Sequence, residues 1–114
     1  IIVCGCGGNR DQSKRPEMGN IASKNCFKSI FTSDNPRNED PFLILNDIKS
    51  GVQKKYLCKT HFISDRLKAI EFAVSMAKNK SIILLTGKGH EQFQEQSGVK
   101  VPFDDYKTLY NLIK

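Results

Sequence analysis

The chain has 114 residues, of which 39% are hydrophobic and 26% are charged, and its formal net charge is +6. This length fits one domain with its own core, and no apolar run approaches the roughly 20 residues that a membrane-spanning helix needs. Most lysines and arginines are scattered, with few aromatic residues between them, which argues against a nucleic-acid-binding surface. The positive charge favours a solvated surface or attraction for small anionic molecules.

The four cysteines, Cys4, Cys6, Cys26 and Cys58, lack the spacing of a zinc site or of a CxxC redox pair. We therefore expect reduced thiols in a cytoplasmic protein, with Cys26 and Cys58 as small buried hydrophobic residues. The sequence begins within an apolar run, residues 1–3, and without a methionine. We expect from this beginning that the chain is a domain cut from a longer polypeptide.

Apolar runs alternate with helical patterns along the chain. In chain order, the patterns predict a strand over 1–4, a helix over 16–24, a strand over 28–32, a helix over 42–51, a short strand over 56–58, a helix from Ser64 or Asp65 to about 79, a strand over 82–85, a hairpin over about 92–101 and a last helix over 104–113. The continuous apolar run 82–85 is typical of a strand that is buried on both faces.

This alternation predicts an α/β fold, a Rossmann-like and mostly parallel sheet with helices on both faces, followed by a carboxyl-terminal β-hairpin. Ligands of such sheets bind beyond the carboxyl ends of the strands. Three loops occupy these ends: the glycine loop (residues 5–15), the DNPR turn with the serine before it (33–37) and the GKGHE loop (87–91). The candidate site is where these loops meet.

The glycine loop begins like a dinucleotide fingerprint, but the third fingerprint glycine would fall at Arg10, so a nicotinamide or flavin cofactor is poorly supported. A flexible turn is one interpretation. The other is a binding loop, because glycines permit close backbone approach and Arg10, Lys14 and Arg15 follow them. Guanidinium groups offer paired donors to a carboxylate or a phosphate.

The GKGHE loop resembles a phosphate-binding loop only in part. The places of the first glycine and of the Ser or Thr in that motif hold Ile82 and Gly89, so no ATP loop is present. Glu91 is interpreted as a carboxylate near a ligand, with a structural salt bridge as the alternative. For His90, a positioning or packing role is favoured over acid–base chemistry.

The DNPR turn concentrates polar groups at one place. Pro36 restricts the backbone, Asp34 and Asn35 can accept hydrogen bonds from an amine, and Arg37 can bind a carboxylate at two points. A helix-capping turn without a ligand is the alternative. Together with the arginine of the first loop and the carboxylate of the third, this turn suits a zwitterionic amino acid.

Five segments in the same order, GCGGNRDQSKRPEMG, TSDNPRNEDP, SDR, TGKGHE and VPFDD, resemble the carboxyl-terminal domain of the Mur ligases over essentially the whole chain. The similarity is greatest to the branch that adds the third peptide residue, meso-diaminopimelate. It implies that residues 1–114 are the Rossmann-like, amino-acid-binding domain of a three-domain ligase. An amino-terminal UDP-binding domain and a central ATPase domain would precede it, and this domain would pack against the ATPase domain.

The resemblance implies an activity in peptidoglycan synthesis, and thereby in cell shape and division, within the cytoplasm. ATP, with Mg²⁺, would phosphorylate the peptide carboxylate of UDP-MurNAc-dipeptide, and the amine of meso-diaminopimelate would then form the amide. ATP would be bound mainly by the central domain, so the isolated domain would be inactive, with no catalytic residue and no metal site of its own. The alternatives are a domain of another Mur or folylpolyglutamate-type ligase, and a stand-alone module that binds an anionic ligand.

The resemblance also implies roles for individual residues. Arg10 and Arg37 would bind the carboxylates of diaminopimelate, whereas the distal amino group and adjoining atoms would be held by Asp34, Asn35, Gly87 and Glu91. Lys14 and Arg15 would face the interdomain cleft, near a nucleotide or precursor phosphate.

Three further positions of the resemblance remain outside this set. Asp65 and Arg66 are interpreted as a helix cap and a surface cation. Asn9 stands where the family commonly has Asp, which removes a charge but leaves the two arginines in place.

Overall fold

Four short parallel strands form the central sheet of the computed structural model, which describes residues 1–114. The strands are β1 (Ile2–Cys4), β2 (Ser29–Phe31), β3 (Thr60–Phe62) and β4 (Leu84–Leu85). They are arranged in the order β3-β2-β1-β4, with Val3 opposite both Ile30 and Leu85. Because all four run in the same direction, the loops that follow them lie along one edge of the sheet.

The remaining elements are four helices, one 3₁₀ helix and a hairpin. The helices are α1 (Lys14–Asn25), α2 (Pro41–Lys49), α3 (Arg66–Met76) and α4 (Asp105–Ile113), and the 3₁₀ helix is Lys54–Lys59. The hairpin joins β5 (Phe93–Gln96) to β6 (Val99–Pro102) in an antiparallel pair. Helices α2, α3 and α4 each begin at an aspartate whose side chain accepts a hydrogen bond from a backbone N–H of the first turn, namely Asp40, Asp65 and Asp104.

Successive residues of a strand point to opposite faces, so the sheet separates two hydrophobic cores. On one face Cys4 and Phe31 pack with residues of α1 and α2, and on the other face Val3 and Ile30 pack with residues of α3. Leu109 of α4 packs against the second core. The predicted α/β class, with helices on both faces of a parallel sheet and a carboxyl-terminal hairpin, is confirmed.

The strand predicted over residues 56–58 is wrong. These residues lie in the 3₁₀ helix, and the strand follows it at Thr60–Phe62. A three-residue apolar run carries no periodicity with which to tell the two apart. As a consequence Cys58 is exposed rather than buried. Cys26, which was also predicted to be buried, is half-buried. All four cysteines are free thiols.

The prediction that residues 82–85 are buried on both faces is also wrong. Strand β4 is at the edge of the sheet and pairs only with β1. Ile82 is 78% exposed and Leu84 is 53% exposed, whereas Ile83 and Leu85 pack against the second core. The alternate residues of the run therefore differ in burial even though all are apolar. No helix of the chain has the length and the apolar character that crossing a membrane requires.

Candidate functional site

The three loops predicted to meet at the carboxyl ends of the strands are in direct contact. The Gly8 N–H donates to the Asn35 carbonyl at 2.7 Å, and Arg37 Nη1 donates to the Gly8 carbonyl at 2.9 Å. Lys88 Nζ donates to Asn35 Oδ1 at 2.9 Å. The DNPR turn is thus the centre of the arrangement, with the glycine loop on one side of it and the GKGHE loop on another.

Close backbone contact explains two of the loop glycines. A Cβ atom at Gly8 would lie 1.8 Å from the Pro36 carbonyl oxygen, and one at Gly5 would lie 2.1 Å from the Thr32 carbonyl oxygen. Any side chain at these positions would therefore collide with backbone. The glycines serve the packing of the glycine loop against the DNPR turn.

Arg37 is held at the edge of the site by the hairpin. Its backbone has a positive φ of 52°, which is uncommon for a residue with a side chain. The Arg37 N–H donates to the Glu95 carbonyl at 3.0 Å, and the Arg37 carbonyl accepts from the Ser97 N–H at 2.7 Å. Its Nε lies 3.8 Å from Glu95 Oε1. Sequence analysis missed Glu95, because nothing local to the DNPR turn shows that the hairpin packs on it.

The second predicted arginine lies beside the first. Arg10 is exposed, and its Nη1 donates only to the neighbouring Asn9 carbonyl, at 3.2 Å. A Cβ atom at Gly7 would lie 2.7 Å from Arg37 Nη1 and 3.6 Å from Arg10 Cγ. The side chains of Arg10 and Arg37 therefore both pass close to Gly7.

The predicted acceptors form a second group. Asn35 Nδ2 donates to Glu91 Oε1 at 3.3 Å, which joins the DNPR turn to the GKGHE loop. Gly87 has a φ of +100°, and a Cβ atom there would lie 2.9 Å from Asp34 Oδ2. The other carboxylate oxygen, Asp34 Oδ1, is buried and makes no hydrogen bond within the chain.

Sequence analysis missed Lys88, which lies among these acceptors. Only 2% of the residue is exposed, and its Nζ is 3.3 Å from Asp34 Oδ1 and 3.8 Å from Glu91 Oε1. The first of these pairs is close enough for charge attraction but is not aligned as a hydrogen bond. In the sequence, this lysine was considered only as a possible counterpart of the lysine in a phosphate-binding loop. His90, two residues further on, is exposed, so of the two roles favoured from the sequence packing is excluded and positioning stays a prediction.

The structure corrects the expectation that Arg15 faces an open cleft. Its side chain is 1% exposed, and its guanidinium donates to Asp47 Oδ2 at 2.8 Å, to Glu39 Oε2 at 2.9 Å and to the Gly7 carbonyl at 3.2 Å. The hydrogen bond to Glu39 raises the pKa of Arg15 and lowers the pKa of Glu39. Arg15 therefore holds the glycine loop in place. Lys14 is exposed at the start of α1.

Asn9 occupies a position that suits its side chain. It has a positive φ of 55°, a conformation in which Asn is enriched, and its Oδ1 accepts from the Asn38 N–H at 3.2 Å. Its own N–H donates to Glu39 Oε2. The side chain of Asn9 thus binds a backbone N–H, a contact that needs no charge.

At the start of α3, one interpretation is confirmed and the other is wrong. Asp65 caps the helix, as predicted. Arg66 is not a surface cation: it is 1% exposed and forms an ion pair with Asp105. The sequence could not show this pairing, because the two residues are 39 positions apart.

A cavity of about 470 Å³ lies beside this site, bordered by Ser33, Pro36, Arg66, Gln94 and Phe103 among others. None of the six residues predicted to bind diaminopimelate lines it. The candidate site is instead the place outside this cavity where the three loops contact one another.

The chain is similar to known proteins of one ligase family. Residues 1–89 match the family model described as Mur ligase, glutamate ligase domain. The relatives include UDP-N-acetylmuramoyl-L-alanyl-D-glutamate–2,6-diaminopimelate ligases of Chlorobium phaeobacteroides, 49% identical over 99% of this chain, and of Aquifex aeolicus, 46% identical over 99%. The chain spans 22% and 23% of those two proteins, less than a quarter of their length.

A solved structure of a ligase with the same name is 41% identical and superposes with a TM-score of 0.89, over 98% of this chain and 23% of that one. Sequence and fold thus give the same assignment over nearly all of the chain. The chain belongs to the Mur ligase family.

Proposed function

We propose that this chain is the carboxyl-terminal, amino-acid-binding domain of a longer ATP-dependent ligase that adds meso-diaminopimelate to UDP-N-acetylmuramoyl-L-alanyl-D-glutamate in the cytoplasm. The names of its relatives and of the solved structure support this proposal. The chain covers less than a quarter of each of them, which supports its assignment as one domain of a longer ligase. Residues 1–114 would form this domain, and it would pack against the ATPase domain of the same polypeptide.

The observation that carries the proposal is that two arginines and a group of acceptors lie in three loops that contact one another. Arg10 and Arg37 flank Gly7, while Asp34 and Glu91 are brought together across Asn35. A ligand with carboxylates and an ammonium group would match both halves. Diaminopimelate has a second carboxylate that L-lysine lacks, so lysine would leave an arginine unpaired, and sites of this kind discriminate strongly.

In this proposal the residues of the chain bind and orient, and none exchanges a proton with the reacting atoms. The arginines would hold carboxylates, and Asp34, Asn35, Gly87 and Glu91 would hold the distal amino group and its neighbours. The remaining amine would then be fixed against the activated carboxyl group of the precursor. Positioning of this kind can supply much of a rate enhancement without acid–base chemistry.

In this proposal ATP and Mg²⁺ are bound mainly by the central ATPase domain of the longer ligase. No three Asp, Glu, His or Cys side chains gather in a way that could hold a metal ion, and the lysine of the GKGHE loop is engaged internally. Activation of the precursor carboxylate is therefore assigned to the rest of the longer ligase. Exposed Lys14 is the remaining candidate in this chain for a phosphate across the interdomain cleft.

The test is amide formation by the complete ligase, with meso-diaminopimelate, L-lysine and L-glutamate offered in turn, for the unaltered enzyme and for Arg37→Gln. We expect amide formation with meso-diaminopimelate alone, and a rise of about 100-fold in its KM in the variant. Lys54→Gln, in the exposed 3₁₀ helix, is the matched control and should leave KM unchanged. Preference for another amino acid would refute the specificity, and no amide with any of them would refute the ligase assignment.

A titration of the 114-residue chain with the same amino acids, followed by amide NMR, locates the binding. Shifts at Arg10, Arg37 and Gly87 with meso-diaminopimelate but not with L-lysine are expected. Shifts confined to other residues would show that the ligand binds elsewhere on this domain.

A further inference from the structure

We propose that Lys88 is a positioning residue, which assembles Asp34, Asn35 and Glu91 from behind into a receptor for the ammonium group of the amino acid. This inference rests on the proposed function and deepens it, since neither the family match nor the relatives assign a role to this lysine. Three observations carry it: the burial of the ammonium, the balance of charge around it and the orientation of the Asn35 amide.

The ammonium lies on the inner side of the acceptor group. The side chain of Lys88 is 0% exposed, whereas those of Asp34 and Glu91 are 15% and 36% exposed. Lys88 Nζ is 2.9 Å from Asn35 Oδ1, 3.3 Å from Asp34 Oδ1 and 3.8 Å from Glu91 Oε1. The acceptors are thus between the lysine and the solvent, so a ligand can approach them without displacing it.

The charges explain why a cation is needed there. Asp34 and Glu91 contact the same ammonium, and two carboxylates so placed would repel one another in the absence of a cation. One ammonium neutralises one of the two charges and leaves a net charge of −1 on the three side chains. That remainder favours a ligand ammonium at the outer side of the group.

The lysine also sets the direction of the Asn35 amide. Asn35 Oδ1 accepts from Lys88 Nζ and from the Glu95 N–H, both at 2.9 Å. Two donors at the oxygen leave the amide nitrogen to face Glu91 Oε1, at 3.3 Å. Without the lysine, one of these two donors is lost, and the link between Asn35 and the GKGHE loop is weakened.

The Asp34 carboxylate is held between Lys88 and Gly87. Its Oδ1 is buried and has no hydrogen-bond donor, although buried carboxylate oxygens ordinarily have one. Its Oδ2 is packed against Gly87, where a Cβ atom would come within 2.9 Å of it. The Lys88 ammonium, 3.3 Å from Oδ1, balances the charge of this carboxylate.

The experiment compares Lys88→Met and Lys88→Arg in the complete ligase. Methionine keeps the length of the side chain and removes its charge, whereas arginine keeps the charge. For Lys88→Met we expect KM for meso-diaminopimelate to rise by about 10- to 100-fold with kcat changed less than about threefold, and for Lys88→Arg a rise several times smaller. Lys24→Met is the matched control, because Lys24 is exposed in the last turn of α1, away from the three loops.

The outcomes separate this inference from the proposed function. An unaltered ligase that does not use meso-diaminopimelate would refute the proposed function. A ligase that uses it, and whose KM is the same in Lys88→Met, would refute only the role of Lys88. Equal losses in the Met and Arg variants would indicate packing rather than charge, and a lower KM in Lys88→Met would indicate that the lysine competes with the ligand; both would overturn the inference.

If Lys88→Met does not fold, NMR of the unaltered ligase still tests the role of Lys88. With ¹⁵N-labelled lysine, the Lys88 ammonium should give a resolved signal, because its burial slows proton exchange with water. Saturation with meso-diaminopimelate should shift that signal. An unshifted Lys88 signal in a ligase that has bound the amino acid would overturn the inference.

Discussion

The guanidinium of Arg66 meets the carboxylate of Asp105 at two points, with Nε 2.8 Å from Oδ1 and Nη2 2.7 Å from Oδ2. Both side chains are buried. Arg66 also donates to the carbonyls of Ser33, at 3.1 Å, and Thr86, at 3.0 Å. These two residues directly precede Asp34 and Gly87, so a single side chain ties α4 to both loops that carry the acceptor group.

Loss of this ion pair should destabilise the domain strongly. We expect Arg66→Met to lower the free energy of unfolding by about 3–5 kcal/mol, because it leaves the Asp105 charge buried without a partner. Urea denaturation measures the change, and Lys68→Met on the exposed side of α3 is the control, with an expected change within about 0.5 kcal/mol. The double variant Arg66→Met/Asp105→Leu should recover part of the loss; a double variant as unstable as the sum of the single ones would contradict the pairing.

Gly87→Ala should weaken ligand binding by more than its effect on stability explains. The backbone at Gly87 has a φ of +100°, and the added methyl group would press on Asp34 Oδ2 at 2.9 Å. Gly98→Ala is the matched control: it has a φ of +77° in the turn of the hairpin, with nothing within 4 Å of the added atom.

Both glycine variants should lose about 1–2 kcal/mol of stability through the strained φ. In a titration with meso-diaminopimelate, only Gly87→Ala should also lose affinity. Equal affinities for the two variants would show that Asp34 takes no part in binding.

The first two strands of the central sheet were predicted correctly from their own segments. The segments 1–4 and 28–32 contain the strands Ile2–Cys4 and Ser29–Phe31, and the loops after them meet because parallel strands end at one edge of the sheet. The same reasoning failed for the fourth strand, because the burial of a strand depends on whether another strand pairs with its outer side. Residues 82–85 are as apolar as a central strand, but no strand pairs with the outer side of β4, so the exposure of Leu84 could not be predicted from its own segment.

The sequence predicted which loops form the candidate site, but it did not predict the buried cations that hold these loops in place. The motifs placed Arg10, Asp34 and Arg37 in loops that do converge. The cations that hold those loops were misassigned or missed, because burial of Arg15, Arg66 and Lys88 depends on acidic partners far away in the sequence. A basic residue looks the same in a sequence whether it is solvated or paired within the fold.

The cysteines should differ sharply in reactivity toward a thiol-specific alkylating reagent. Burial raises the pKa of Cys4 to about 12 and also raises the pKa of Cys6, so neither forms the reactive thiolate readily. Cys58 is exposed on the 3₁₀ helix. Mass spectrometry of the native chain should therefore find Cys58 modified first and Cys26 more slowly, with Cys4 and Cys6 modified only in denaturant. Early labelling of Cys4 would contradict the packing of β1.

His61 should make the domain less stable in weak acid. Its Nε2 is buried without a partner, and its ring lies edge-on to Phe72 with 4.7 Å between the ring centres. Burial, together with the charge of Lys28, lowers the pKa of His61 from its usual value of about 6.5. The unfolded chain then binds a proton more readily than the folded one, so the stabilisation is complete above about pH 6.5 and is lost as the pH falls from there towards the lower folded pKa.

Urea denaturation between pH 8 and pH 5 tests this behaviour. The free energy of unfolding should decrease below about pH 6.5, with a slope of at most about 1.4 kcal/mol per pH unit for one proton. In His61→Phe, which cannot take up a proton there, the decrease should be smaller. Identical pH profiles for the two proteins would exclude His61 as the source.

Arg15 should stabilise the domain by an amount that depends on the ionisation of Glu39. The hydrogen bond from Arg15 is the largest cause of the lowered pKa of Glu39. A carboxyl group with a lowered folded pKa contributes stability that is present above its unfolded pKa of about 4.5 and is lost as the pH falls through the folded value. We therefore expect Arg15→Met to cost about 2 kcal/mol at pH 7 and clearly less at pH 3.

Lys14→Met is the control for this prediction, because Lys14 is the preceding residue and is exposed. Its free energy of unfolding should match that of the unaltered chain at both pH values. Since Arg15 also donates to the Gly7 carbonyl, Arg15→Met should additionally loosen the glycine loop, and amide hydrogen exchange at Gly8, whose N–H donates to Asn35, should become faster. Unchanged exchange at Gly8 together with a loss of stability would show that Arg15 supports α2 alone, through Asp47, and leaves the ligand-facing loops in place.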